Sequence, residues 1–186
     1  QYFETPQVAY MMIGATAFAN EEKNVRLKYV KEFYNAVSNF DISLPTPIMA
    51  GLRSPERQLA SCTLIDVGDS RKSINASASA IVEYASNSAG SGVNIGRIRA
   101  EGSSVGNGAR VSTGIIPWLK YLIAALKSCN QGGIRSASGN ASFPMWHYEY
   151  EDMIVLKNSK GTEETRTRGL DYGILTAECP NKDIVS

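Results

Sequence analysis

Between Leu59 and Ile174, short apolar stretches alternate with helix-like stretches, and this order constrains the fold more than any other feature. "LASCTLIDV" reads as a strand, apolar enough to be covered on both faces. Gly68-Asp69-Ser70 turns the chain, and Asp69 or Ser70 caps a helix over "SRKSINASASAIVEYASNSA". A short strand around Val93–Ile98 lies between glycine-rich loops. Thr113 then caps a helix in "GIIPWLKYLIAALKSC". The loop "NQGGIRSASGNAS", the segment "FPMWHYEYEDMIVLKN" and a strand in "TRTRGLDYGIL" complete the run. Strands separated by helices pair in parallel, because each crossover carries the chain back to its starting edge. The fold class expected is therefore α/β, as an open sheet or a barrel.

A helical lead-in precedes this run, over residues 1–40. "TPQVAYMMIGATAFA" places proline in a first helical turn, followed by a nearly continuous apolar run. In the next segment Asn20 is the expected N-cap. Val25, Leu27, Tyr29, Val30, Phe33, Tyr34 and Val37 form a broad apolar face, so a helical hairpin is expected. "ISLPTPIMAGLRSPER" carries three prolines and Gly51 and reads as an extended segment and loop. No internal repeat or low-complexity linker divides the chain.

Nineteen basic residues against eighteen acidic ones argue against a protein that coats nucleic acid, whose affinity comes mainly from neutralising phosphates. They leave room for a pocket that holds a single nucleotide. No apolar run is long enough to span a bilayer, and no charged-then-apolar leader opens the chain, so neither membrane insertion nor export is expected. A first residue of Gln rather than Met suggests a processed, cut or partial chain. The three cysteines are scattered, at 62, 129 and 179, and His147 is the single histidine. This composition supplies no zinc site and no disulfide framework, and it fits a reducing cytoplasm. A Cys–His hydrolytic pair would need Cys62 or Cys129 to meet His147, with no third orienting group in view.

In parallel α/β folds ligands gather at the carboxyl ends of strands, and the candidate groups are expected there. Asp69 follows the first strand, Arg97 and Arg99 follow the second, and Gln131 and Arg135 belong to the loop after the long helix. Arginine on glycine-rich loops suits phosphate, and a carboxylate suits a ribose hydroxyl. These groups fit a nucleotide site or, alternatively, solvent loops with charged rims. "GSGVNIG" lacks the helix that a dinucleotide fingerprint requires, and there is no P-loop. Cys62 reads either as a reactive thiol or as a packed one.

Several long motifs narrow this choice. "ISLPTPIMAG", "RQLASCTLIDVGDS", "SINASASAIVEYAS", "AGSGVNIGRIRAEGS", "TGIIPWLK", "KSCNQGGIR", "PMWHYEYEDMIVLKN" and "DYG" occur in this order. Over residues 2–174 the chain resembles the large, catalytic subunit of class I ribonucleotide reductase, in its bacterial and phage forms. The resemblance implies roughly the first half of a ten-stranded α/β barrel over 41–174, followed by a divergent tail over 175–186. It implies reduction of ribonucleotides to deoxyribonucleotides by thiol and radical chemistry. Cys62 matches one of the two cysteines that supply reducing equivalents. Thr46 and Ser61 match residues that hold substrate phosphates, and Ala89 and Gly90 match backbone near the substrate. Asp69, Ser70, Arg99 and the loop through Val105 match the specificity site, where a deoxynucleoside triphosphate or ATP acts as effector. Gln131, Gly132, Gly133 and Arg135 match the loop that couples effector to substrate.

The resemblance further implies partners. These are a complementary large-subunit segment, a small subunit carrying the radical and di-metal centre, and a thioredoxin- or glutaredoxin-type reductant. A second copy is implied too, joined through helices over 70–87 and 113–128. No covalently bound cofactor, metal or nucleic-acid polymer is implied for this chain. The 186 residues contain no counterpart of the radical-forming cysteine, its neighbouring glutamate and asparagine, the second redox cysteine or the tyrosine pair. "SASGN" also departs from the family's small-residue run after the arginine. A split gene, a fragment left by an intervening element or an engineered boundary would each account for the missing half. A non-catalytic nucleotide-binding module derived from the reductase is the alternative reading. Cys129 is expected to pack or support the loop, Cys179 to be incidental, and His147 to cap or pack at the "PMWH" corner.

Overall fold

The computed structural model describes residues 4–55, 59–129 and 138–176. The chain divides into two compact units, Gln1–Ser61 and Cys62–Ser186.

The first unit is helical. Helix α1 spans Pro6–Ala17 and α2 spans Lys23–Ser38. They form the expected hairpin, in which Gly14 leaves room for the Phe33 ring beside Val30. Phe18 meets Tyr29 and Phe33 at ring-centroid distances of 5.7 and 6.1 Å. Two details differ from expectation. Glu22, not Asn20, is the N-cap of α2, without a side-chain cap bond. The proline-rich stretch is not wholly extended, because Thr46–Gly51 forms a short helix, α3, with Pro45 as N-cap and Pro47 in its first turn. Proline is tolerated there because first-turn amides have no intrahelical acceptor to reach.

The second unit is an α/β layer. Its strands are β1 (Cys62–Asp66), β2 (Gly90–Asn94), β5 (Gly139–Pro144) and β6 (Asp171–Leu175). They form one four-stranded sheet in the order β1-β2-β5-β6, and every neighbouring pair is parallel. Crossovers run through α4 (Arg71–Ser86), α5 (Ile115–Ser128) and the short α6 (Tyr150–Ile154). The α/β alternation expected from the sequence is thus realised. The core lies between the sheet and these helices. Val93, Ala141 and Phe143 from the sheet pack with Ile74, Ile81, Leu119, Leu122 and Leu126 from α4 and α5.

The second strand begins earlier than the apolar residues suggest. Pairing with β1 selects the small residues from Gly90, while Ile95 and Ile98 are buried in the turn beyond the strand. A two-stranded antiparallel ribbon, β3 (Ser104–Val105) with β4 (Arg110–Val111), lies inside the glycine-rich region read as loop. Strand β1 is not covered on both faces. Its residues alternate, and Leu64 is 91% exposed. Cys62, Leu64 and Asp66 line the face away from the helices, beside Gly92, which lies under the Leu64 side chain. The apolar run suggests cover on both faces, but period-two geometry points Leu64 away from the helical layer.

Candidate functional site

The parallel register separates the candidate residues into two groups at opposite ends of the sheet. Cys62 is the first residue of β1 and pairs with Gly90, the first residue of β2. Both therefore lie at the amino-terminal edge, not at the carboxyl edge expected from the sequence. Asp69, Ser70 and Arg99 follow the carboxyl ends of β1 and β2. At about 3.3 Å per residue, a five-residue strand holds the two groups some 13–16 Å apart.

At the amino-terminal edge Cys62 is exposed. A Cβ on Gly90 would stand 3.3 Å from the Cys62 sulfur and 3.2 Å from the Ser138 carbonyl oxygen. Glycine there leaves open the space beside the thiol. Ala89 is fully buried, with its amide donating to the Tyr84 carbonyl at 3.0 Å, so its methyl offers nothing to a ligand. Thr63 donates to the Gly90 carbonyl at 3.4 Å and anchors this edge from the helical side. Ser61 precedes Cys62 in the chain, and Thr46 is the exposed first residue of α3 in the helical unit. Gln131, Gly132, Gly133 and Arg135 lie outside the described residues, as does Cys179. Cys129 is the C-cap of α5 and packs against the core, as its position before the loop suggests.

At the carboxyl edge the sequence-predicted residues do meet. Arg99 Nε donates to Asp69 Oδ2 at 2.7 Å, the Arg99 amide donates to Asp69 Oδ1 at 3.2 Å, and Arg99 Nη1 donates to the Ser104 carbonyl at 2.6 Å. Among the described residues Nη2 makes no hydrogen bond, so one face of the guanidinium remains for an anion. The ion pair is about one-third exposed on each side, at 36% and 33%. Ser70 caps α4 as expected, its hydroxyl accepting from the Ser73 amide at 3.1 Å. Val105 is the second residue of β3, directly after Ser104, whose carbonyl holds Arg99, and pairs with Arg110 in the ribbon. Arg97, also singled out in the sequence, pairs instead with Asp66 at 2.8 Å. Asp66 in turn accepts from Asn94 at 3.1 Å.

The expected cap of α5 was misplaced. Gly114, not Thr113, is its N-cap, with φ at 82°. The first helical amide, of Ile115, donates to the buried Glu149 carboxylate at 3.1 and 3.3 Å. Burial pushes the Glu149 carboxyl above the ordinary range, and the bonds from the Ile115 and Glu101 backbone oppose that rise. Glu149 was missed because its partner is 34 residues away in sequence, where no capping pattern reaches. A Cβ on Gly114 would stand 2.3 Å from Glu149 Oε1, in a left-handed backbone conformation that side chains disfavour. Gly114→Ala is therefore expected to destabilise the fold by about 2–4 kcal/mol, combining backbone strain with overpacking. Urea unfolding should register this as a lower midpoint.

Two family models match the chain. "Ribonucleotide reductase, all-alpha domain" covers residues 1–57 and "Ribonucleotide reductase, barrel domain" covers 60–179. The chain is 55% identical over 174 residues to the ribonucleoside-diphosphate reductase subunit alpha of Enterobacteria phage T4. It is 51% identical, also over 174 residues, to ribonucleoside-diphosphate reductase 1 subunit alpha of Escherichia coli (strain K12). Each match covers 94% of this chain but 23% of the relative. A cyanobacterial subunit alpha, from Synechocystis, is 32% identical over 163 residues, 88% of this chain and 21% of the relative. The chain thus spans about a quarter of the length of the curated relatives it matches.

Proposed function

Because the chain belongs to the ribonucleotide reductase family of large subunits, we propose that it supplies the first part of a reductase barrel, with one redox thiol and the effector loops. The assembled enzyme reduces ribonucleoside diphosphates to deoxyribonucleotides for DNA synthesis. The observation that carries this reading is the exposed Cys62 at the amino-terminal edge of a parallel sheet, with glycine rather than a side chain beside it. Two thiols close to a disulfide and deliver two electrons, while the ribose 2′-hydroxyl leaves as water. Cys62 is one of those thiols. The second comes from the complementary segment. A thioredoxin- or glutaredoxin-type protein restores the pair, which suits a reducing cytoplasm. Thr46 and Ser61 hold substrate phosphates, and the Ala89–Gly90 backbone borders the ribose.

Asp69, Ser70, Arg99 and the ribbon at Val105 form the effector site in this account. Arg99 faces the phosphates of a deoxynucleoside triphosphate or ATP, and Asp69 faces its sugar. Gln131, Gly132, Gly133 and Arg135 carry effector identity towards the substrate. Helices α4 and α5 are the homodimer contact. The groove between them is shallow, about 370 Å³, and is lined largely by small residues such as Ala78, Ser79, Ala124 and Ala125, which let another helix approach closely. The small subunit supplies the radical and its di-metal centre. Among the described residues, no helix is long and apolar enough to cross a membrane.

Apolar side chains left exposed on the outer strands β1 and β6 support a role in a larger assembly. Leu64, Ile174 and Leu175 are 91%, 46% and 43% exposed on or beside strands that a larger barrel would cover. Mixed with the remainder of a large subunit, the chain is expected to elute as a stable complex in size-exclusion chromatography with light scattering. A compact monomer at high concentration, with no complex in the mixture, would contradict the proposal.

A further inference from the structure

We propose that His147 is a positioning residue for the effector site, acting through the backbone on either side of Arg99; this rests on the effector reading above. Arg99 lies in a short segment whose backbone groups are held from several directions. The Arg99 amide is bound by Asp69 and the Gly102 amide by the Ser112 carbonyl, at 3.2 and 2.9 Å. The Ile98 carbonyl, immediately before Arg99, meets His147 Nε2 at 2.8 Å. A carbonyl only accepts, so Nε2 carries the proton. His147 Nδ1 is then the acceptor, and it receives the Glu149 amide at 3.1 Å. The neutral ring is thereby fixed in one tautomer and one orientation by two backbone groups.

The same corner reaches Arg99 from its other side. Glu149, two residues after His147, accepts from the backbone of Glu101, and its carboxylate also holds the first amide of α5. His147 therefore links three things: the end of the β2 turn, the corner after β5, and the carboxylate that anchors α5. Ile98 is 2% exposed and His147 is partly buried, so this hydrogen bond is shielded from competing water. Removing the ring leaves the Ile98 carbonyl without its donor and lets the Arg99 backbone shift. A displacement of about 1 Å is enough to spoil a guanidinium–phosphate contact, whose strength depends on paired geometry. His147 touches no ligand in this account; it fixes where Arg99 points.

The test measures effector affinity in the assembled large subunit, by calorimetry with dTTP, for the parent, His147→Ala, His147→Gln and Arg99→Ala. Thermal unfolding runs in parallel, and affinities are taken well below each midpoint. His147→Ala is expected to weaken binding about tenfold. His147→Gln, whose side-chain amide can still donate to the Ile98 carbonyl, should recover most of that loss. A purely structural role would lower the unfolding midpoint and leave affinity unchanged in the folded protein. If Arg99→Ala loses binding while His147→Ala binds within twofold of the parent, the positioning role is wrong and the effector reading stands. If Arg99→Ala itself binds like the parent, the effector reading fails and takes this inference with it.

Discussion

Supplied with a small subunit, a dithiol reductant and any ribonucleoside diphosphate, the 186-residue chain alone is expected to give no deoxyribonucleotide. The proposed reaction needs two thiols at the substrate and a radical to start it. The described part of the barrel unit offers one exposed thiol, Cys62, at the sheet edge. The second cysteine there, Cys129, ends α5 and packs into the core. The sheet has four strands and an uncovered face, so a substrate placed beside Cys62 would stand in water. Open solvent quenches radical intermediates and weakens every charge contact that would hold the phosphates. Adding the complementary segment should bring turnover from undetectable to readily measured. In that assembly Cys62→Ser should abolish multiple turnovers with a physiological reductant, because no disulfide can form at this position.

The second large effect concerns the effector. Arg99→Ala should weaken nucleoside triphosphate binding by about ten- to a hundredfold. A charge-assisted hydrogen bond from a partly buried arginine contributes roughly 1.5–3 kcal/mol, which converts to that range. The geometry shows why one residue matters so much. Nε and Nη1 are committed to Asp69 and to the Ser104 carbonyl, which aim the guanidinium before any ligand arrives. Ordering costs are met in advance, so more of the phosphate contact appears as affinity. The loss should be similar for dTTP, dGTP, dATP and ATP, since the phosphates are common to all four. The proposed dimer contact through α4 and α5 lies on the helices that flank this site. Affinity should therefore rise with protein concentration, as for any ligand linked to assembly.

Much of this was legible in the sequence, for identifiable reasons. The strand–helix alternation fixed a parallel sheet, because crossover helices leave few alternatives. Asp69 and Arg99 are thirty residues apart yet meet, and the strand that precedes each already placed both at one edge. Other features lay beyond local pattern. Which end of β1 holds Cys62 depends on where pairing with β2 begins, and that register is set by Gly90 rather than by the apolar residues. Thr113 has the right chemistry for a cap, but the fold brings Glu149 to the α5 amide instead. Leu64 looks like core by composition and is exposed by geometry. Helix α3 was hidden by prolines that mark a helix start as readily as a break.

The central claim is that the Cys62 thiol is consumed when substrate is reduced, and it can be read from the sulfur itself. The assembled enzyme is given substrate, effector and small subunit but no external reductant, then denatured and alkylated, and its peptides are mapped by mass spectrometry. After one turnover Cys62 should be recovered in a disulfide with a cysteine of the complementary segment, whereas without substrate it should be recovered as an alkylated thiol. The account also predicts that the disulfide appears in step with the deoxyribonucleotide formed. Product formed while Cys62 remains fully alkylated would contradict it.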